Sequence, residues 1–166
     1  RGSTGGVTWF LPPEDRSYTS IVQFKDMLAR AMGGRIAEKV RYGADRVTTG
    51  ASNDLRKATE IARDMVIEQG MGTNLRDQVF HEDSGGMMFD RMVHERPYTD
   101  DTAKEIDKEV EALMREAAQR AEAIILANPK QLKRMADALL EHETVEGPAI
   151  KKLLADAKLP KGAAQY

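Results

Sequence analysis

Between residues 103 and 124, apolar side chains recur at every third or fourth position, with charged residues between them. This near-heptad spacing predicts one long amphipathic helix, because it places the apolar residues on a single face. The stripe comprises Ala103, Ile106, Val110, Leu113, Ala117, Ala121 and Ile124. A chain of 166 residues with such a helix is expected to fold as a mainly α domain with a sizeable core. We expect the stripe to pack within the chain, although its small residues would also suit a second subunit.

Composition excludes several functional classes. The chain has no cysteine, which rules out disulfides, cysteine-bound zinc, iron–sulfur clusters and thiol catalysis within it. Lys plus Arg number 25 and Asp plus Glu 27, and this balance argues against a dedicated nucleic-acid binder. No apolar run approaches the ~20 residues of a membrane span, so we expect this segment to be soluble.

The first fifty residues are predicted to hold one short strand and two short helices. The β-branched and aromatic run Val7–Leu11 lies between glycines and prolines, which is typical of a strand. Helical spacing then begins after Ser20, which forms a capping box with Gln23, and continues to residue 32. The pair Gly33–Gly34 is expected to end this helix, with a second helix over residues 35–41.

The remaining elements are predicted to be helices separated by one long loop. A polar loop over 44–53 precedes a helix that starts at Ser52 or Asn53 and runs to about residue 69. Residues 70–97 show no sustained period and predict a loop. Thr99 caps the long helix, Pro129 opens the next one, and a last helix covers about 148–157. Short connections predict that these three helices pack as an antiparallel bundle, followed by a disordered tail over 159–166.

The three histidines do not form a zinc-peptidase motif within the chain. Each is followed by glutamate, but the residues four positions later are Gly85, Tyr98 and Glu146 rather than histidine. Two imidazoles one helical turn apart are needed to reach the same metal ion. His81, His94 and His142 are therefore interpreted as surface or loop residues.

Asp54 is the residue whose position best suits chemistry. It falls in the first turn of a predicted helix, where a carboxylate is stabilised by the helix dipole by about 0.3–1 kcal/mol. The same position would suit a metal-binding carboxylate, because the cap holds the backbone and the side chain projects from a fixed point. Spacing alone does not separate these two roles.

Several segments of the sequence occur together in one known family. The most specific is VTTGASNDL at Val47–Leu55, which follows MGGRIAE at Met32–Glu38. ATEIARDMV at Ala58–Val66 and YTDDTAKEIDKEV at Tyr98–Val110 are two more. ALLEHETVEG, at residues 138–147, extends the similarity, which runs in order to about residue 157. Together these motifs resemble the FtsH family of membrane-anchored, ATP-dependent zinc metalloproteases.

The resemblance implies a role for several residues. In the family, two histidines of an upstream H-E-x-x-H helix and a downstream aspartate hold zinc, and that aspartate matches Asp54. The glutamate of the upstream motif serves as general base. Glu38 is implied as a carboxylate that orients a ligating histidine. The strand at Gly6, Val7 and Thr8 matches the edge on which extended substrates pair by their backbone.

The resemblance also implies how the chain is organised. Residues 1–97 would be the C-terminal portion of the zinc peptidase core, with the strand, the zinc-ligand loop and the long loop. Residues 98–158 would be the C-terminal helical part of the same domain. The H-E-x-x-H helix, the ATPase domain with its ATP and magnesium, and the membrane anchor are expected N-terminal to Arg1. The chain alone is therefore expected to be inactive.

We expect the intact protein to degrade unfolded or membrane proteins as a homo-hexamer. It would lie at the cytoplasmic side of a bacterial inner membrane, and only its N-terminal segment would contact the bilayer. An alternative is a helical oligomerisation or adaptor module without chemistry, in which Asp54 is only a cap. Composition and periodicity favour both hypotheses equally, and only the motif resemblance separates them.

Overall fold

The computed structural model of the protein describes residues 6–9, 18–80 and 98–159. In these ranges the regular structure is almost entirely helical, which confirms the mainly α class expected from the sequence. Two short 3-10 turns, Ala44–Arg46 and Thr49–Ala51, connect the first two helices. The α-helices are α1 (Ile21–Tyr42), α2 (Ser52–Ile67), α3 (Asp100–Ala127), α4 (Pro129–His142) and α5 (Gly147–Leu153).

The core lies where α1, α2 and α3 pack on one another. Each helix contributes an apolar stripe, and burial of these stripes supplies the main driving force for folding. On α3 the predicted stripe is buried from Ile106 to Ala121, whereas Ala103 and Ile124 at its ends are only partly buried. Ion pairs between Asp26 and Arg120 and between Lys25 and Glu116 join α1 to α3 at the edge of this core. The largest fully buried side chains are Leu28, Met65, Val66 and Ile106.

Helix starts follow the predicted caps in two cases and differ in a third. Ser20 and Gln23 form the reciprocal capping box, and the Thr99 hydroxyl accepts a hydrogen bond from the Thr102 amide. In contrast, α2 begins at Ser52 itself, with Ala51 at the N-cap and no side-chain cap. The predicted caps at Ser52 or Asn53 were wrong because the preceding 3-10 turn leads directly into the helix.

The predicted break at Gly33–Gly34 is absent, and α1 continues through it to Tyr42. Glycine lowers helix propensity by about 1 kcal/mol per residue, but tertiary packing overrides such a preference. Buried Met32 and Ile36 flank the pair and pack into the core, so the helical conformation is held from both sides. The helix ends where Gly43 adopts φ +92°, which a residue with a side chain rarely adopts.

Replacing Gly33 or Gly34 by alanine is expected to stabilise the chain by about 0.5–1 kcal/mol each. Apart from the helix's own backbone, no atom of the described residues lies within 4 Å of a Cβ built at either position, so alanine would raise the helix propensity without a steric cost. Urea unfolding measures the change. Alanine at Gly43 or Gly70 is the control and is expected to destabilise, because both have positive φ and a Cβ at Gly70 would lie 3.2 Å from the backbone of Gln78. Destabilisation by the first pair would contradict the explanation.

The C-terminal helices are attached by polar contacts more than by a shared core. The side-chain amide of Asn128 donates hydrogen bonds to the carbonyls of Ile124 and Lys158, and its oxygen accepts one from the backbone amide of Lys158. Its side chain therefore fastens the segment after α5 to the junction of α3 and α4, instead of capping α4. Helix α4 contacts α3 and α5. Its Leu132, Leu139 and Leu140 remain exposed, Leu140 by 84%.

Three predictions, of the strand, the long loop and the tail, fall partly outside the described residues. Residues 6–9 form no strand, and Val7 and Trp9 are 71% and 86% exposed, because no neighbouring segment pairs with them in the described ranges. The rest of the predicted strand, at residues 10 and 11, lies outside the description. Of the predicted loop 70–97, the structure describes residues 70–80. Of the predicted tail, it describes only Leu159.

Within the described part, the first residues of that loop fold back on α2. The Phe80 amide donates to the Ile67 carbonyl, and Met71 pairs with Arg76 in an isolated antiparallel bridge. Phe80 also packs edge-on against Tyr98, with 6.0 Å between ring centroids. Across the described ranges, no helix combines the length and apolarity that crossing a membrane requires.

Candidate metal site

The segment between α1 and α2 places Asp54 at the start of a helix. The Thr48 hydroxyl accepts a hydrogen bond from the Gly50 amide at 3.2 Å and so opens the second 3-10 turn. Ala51, at the end of this turn, is buried against the core and is also the N-cap of α2. Asp54 is the third residue of α2, so the turn determines where its carboxylate projects.

The Asp54 side chain is exposed and has no hydrogen-bond or ion-pair partner among the described residues. Its nearest polar neighbours in sequence are occupied with each other, since Arg56 donates to the Asn53 side chain at 2.7 Å. The four free amide groups at a helix start favour an anionic side chain there. Asp54 is thus placed to stabilise the helix dipole, and its carboxylate oxygens, unpartnered among the described residues, make it a candidate metal ligand.

Glu38, near the end of α1, binds the loop that precedes Asp54. One carboxylate oxygen accepts the Thr48 amide at 2.8 Å, and the other accepts the Thr48 hydroxyl at 2.9 Å. Both bonds lower the pKa of Glu38, and the bond from the backbone amide contributes most. The positive charge of Arg35 lowers this pKa by a smaller amount. Glu38 is therefore ionised at neutral pH and linked to Thr48, and no hydrogen bond between described residues joins it directly to Asp54.

The lowered pKa of Glu38 predicts a pH dependence of the loop. A carboxylate with a depressed pKa in the folded state adds stability above its unfolded pKa and loses it as pH falls through the folded value. Protection of the Thr48 amide from hydrogen exchange, corrected for intrinsic rates, is expected to be full at pH 6 and to fall below pH 4.5, the ordinary pKa. Glu38→Gln should remove this dependence. Protection that is constant down to pH 3 would contradict it.

A complete metal site is not assembled in the ranges that the structure describes. No group of three histidine, cysteine, aspartate or glutamate side chains there could hold a metal ion. A catalytic zinc ion usually has three protein ligands and one open position. The exposed and unpartnered carboxylate of Asp54 fits one of those three. His142 lies at the exposed end of α4 beside Glu141, and His81 and His94 fall outside the described residues.

The candidate substrate segment is exposed, and among the described residues it has no hydrogen bond to the candidate metal site. Gly6, Val7 and Thr8 are exposed, and their backbone forms no hydrogen bond with any other described residue. Their amide and carbonyl groups are thus accessible for backbone pairing. No hydrogen bond between described residues joins this segment to Asp54 or Glu38.

One buried carboxylate was missed by sequence reasoning. Glu109 on α3 is only 4% exposed, and its two oxygens accept the backbone amides of Thr73 at 2.8 Å and Asn74 at 2.7 Å. It binds the turn after α2 to α3 and has no cationic partner among the described ion pairs. Its position beside Val110 in the apolar stripe was the available signal, because a charged residue at the edge of a buried face must find partners.

Comparison with known proteins identifies the family. The model of peptidase family M41 matches residues 1–153. An ATP-dependent zinc metalloprotease FtsH from Chloroflexus aggregans is 43% identical over 160 residues, which cover 95% of this chain and 24% of that protein. FtsH 3 from Synechocystis is 39% identical over 94% of the chain, and FtsH from Bacillus subtilis 37% over 97%.

The chain therefore belongs to peptidase family M41, the FtsH family of ATP-dependent zinc metalloproteases. It spans about a quarter of the length of the curated relatives that it matches.

Proposed function

We propose that this chain forms part of an ATP-dependent zinc endopeptidase in which Asp54 is one of the zinc ligands. The observation that carries the proposal is the Asp54 carboxylate, which is exposed, unpartnered in the described ranges and fixed at the first turn of α2. Family membership supports the same role, because the relatives that match are named zinc metalloproteases.

The chemistry that zinc supplies when bound is Lewis-acid polarisation of the scissile carbonyl and activation of water. The residues of this chain would hold the zinc ion and orient its ligands. Asp54 would contribute one carboxylate oxygen, whose negative charge is favoured by the helix dipole at the start of α2. We expect the other two ligands and the general base to come from an upstream H-E-x-x-H helix. Glu38 stays a candidate for orienting one of those histidines.

We also propose that Gly6, Val7 and Thr8 receive an extended polypeptide by backbone pairing. Their accessible amide and carbonyl groups support this role, since an extended peptide adds to a chain segment through such groups. Pairing would give this segment the partner that a strand needs and that the described ranges do not supply.

The assembly and location that we propose follow from the family. The intact protein would form a homo-hexamer in which an ATPase domain, using ATP and magnesium, passes unfolded polypeptide to the peptidase. An N-terminal anchor would hold it at the cytoplasmic side of a bacterial inner membrane. The nearly balanced charge of this chain supports polypeptide rather than nucleic acid as the partner.

A second candidate is a non-catalytic helical oligomerisation or adaptor module. The exposed apolar residues of α4, above all Leu140, favour it, because such side chains are often covered in an assembly. On this hypothesis Asp54 acts only on the helix dipole.

Casein cleavage separates the two candidates. The full-length protein with ATP and zinc is expected to cleave casein, and a chelator should abolish the cleavage. The 166-residue chain with added zinc is expected to be inactive, because one carboxylate cannot hold a catalytic zinc ion. Absence of chelator-sensitive cleavage by the full-length protein would favour the adaptor module. Robust cleavage by the 166-residue chain would contradict the proposed ligand set.

A further inference from the structure

One side chain of α1 binds the loop between α1 and α2 near its end. Glu38 reaches from α1 to Thr48, ten residues later, and binds both its backbone amide and its hydroxyl. The bonds involve an ionised acceptor, which makes them stronger than bonds between neutral groups. Of the residues between Tyr42 and Thr48, only Val47 is even partly buried, so packing does little to fix this loop.

Thr48 carries that constraint on to the start of α2. Its hydroxyl donates a hydrogen bond to the Glu38 carboxylate and accepts one from the Gly50 amide. The hydroxyl oxygen thus connects Glu38 to the 3-10 turn. The 3-10 turn that follows ends at Ala51, and α2 has no side-chain cap of its own. The orientation of the first turn of α2 therefore depends on the turn that Thr48 opens.

We propose that Glu38 is a positioning residue for Asp54, acting through Thr48 and the turn Thr49–Ala51. This inference rests on the proposed function, in which Asp54 ligates zinc. It assigns Glu38 a role in the aspartate's geometry, which differs from orienting a histidine. A ligand needs its supporting contacts to hold it within a fraction of an ångström of the productive position.

The role predicts how zinc affinity responds to substitution. Glu38→Gln and Thr48→Val, made in the full-length protein, are each expected to lower zinc affinity about 10–100-fold, the usual cost of losing an outer partner of a metal ligand. Because both act through one connection, the double variant should bind zinc about as weakly as the weaker single variant. Thr48→Ser keeps the hydroxyl, so its zinc affinity is expected to stay close to that of the wild type. Competition with a chromogenic chelator measures these affinities.

Hydrogen exchange of the peptide covering residues 44–51 gives a second readout. Glu38→Gln is expected to raise exchange there about tenfold while exchange in α3 is unchanged. Glu122→Ala is the matched control, because Glu122 pairs with Lys39, the neighbour of Glu38 on α1, but does not touch the loop. It should change neither the loop exchange nor the zinc affinity.

The outcomes separate this inference from the function on which it rests. If Asp54→Ala leaves zinc affinity unchanged, the proposed function fails. If Asp54→Ala lowers it but Thr48→Val does not, the positioning role is wrong and Glu38 acts on another group. Losses that multiply in the Glu38 and Thr48 double variant would also overturn the inference, since the two residues would then act independently.

Discussion

Replacing Asp54 by alanine in the full-length protein is expected to abolish casein cleavage and to lower zinc affinity by at least ~100-fold. The estimate follows from metal sites in which outer partners alone contribute 10–100-fold, because loss of a direct ligand should exceed that range. Stability should change little, by about 0.3–1 kcal/mol, which is the loss of one exposed carboxylate from a helix start. Zinc content after gel filtration and urea unfolding measure the two effects.

Asp64→Ala is the matched control for this experiment. Asp64 is also an exposed aspartate on α2, but it lies near the other end of the helix, away from the loop that Thr48 opens. It should retain zinc and peptidase activity. If Asp54→Ala kept its zinc and lost only the small stability increment, the residue would be a dipole-stabilising cap and nothing more.

Replacing Glu109 by alanine is expected to have the largest effect on stability, about 2–3 kcal/mol. The substitution leaves the amides of Thr73 and Asn74 without their acceptors and opens space inside the fold. A donor that loses its partner costs about 1–3 kcal/mol when it is buried. Thr73 and Asn74 are exposed residues whose bonds to Glu109 are partly buried, so water should relieve part of that cost. Glu109→Gln should lose less, since one oxygen remains while the amide nitrogen faces a donor.

The same helix supplies a control for Glu109. Glu116 on α3 forms an exposed ion pair with Lys25, and such pairs contribute 0–1 kcal/mol. Glu116→Ala should therefore lower the free energy of unfolding by less than about 1 kcal/mol. Urea unfolding with an unchanged m-value tests both variants. A Glu109→Ala chain within 0.5 kcal/mol of wild type would show that the turn does not depend on this carboxylate.

Local patterns were sufficient to predict α2, α3, α4 and α5 and most of the core. The stripe from Ile106 to Ala121 and the spacing of Ala58, Ala62 and Met65 reflect contacts within one helix face, which periodicity records directly. The caps at Ser20 and Thr99 are also local, since donor and acceptor lie three residues apart.

Contacts between distant segments could not be predicted in this way. The spacing around Gly33 does not show that α1 packs on α3, and that packing keeps the helix continuous through two glycines. Glu109 and Thr73 are 36 residues apart, and Glu38 and Thr48 are ten apart across a loop. Their hydrogen bonds depend on how distant segments pack together, which the spacing of residue types along the chain does not reveal.

The candidate site was found by resemblance rather than by spacing. Asp54 occupies a first-turn position that acidic residues commonly take for the helix dipole alone. The motif from Val47 to Leu55 was the reason for predicting a metal-ligand role, and the comparisons show the family to which the motif belongs. The observed link from Glu38 to Thr48 adds what the motif could not supply, a physical reason for the glutamate and the threonine to occur together.

Anomalous diffraction at the zinc edge from crystals of the full-length protein tests the central claim most directly. We predict a zinc peak about 2.0–2.2 Å from a carboxylate oxygen of Asp54, with two histidine nitrogens completing the protein ligands. A zinc ion bound elsewhere, with the Asp54 carboxylate directed into solvent, would contradict the zinc-ligand role that we propose for Asp54.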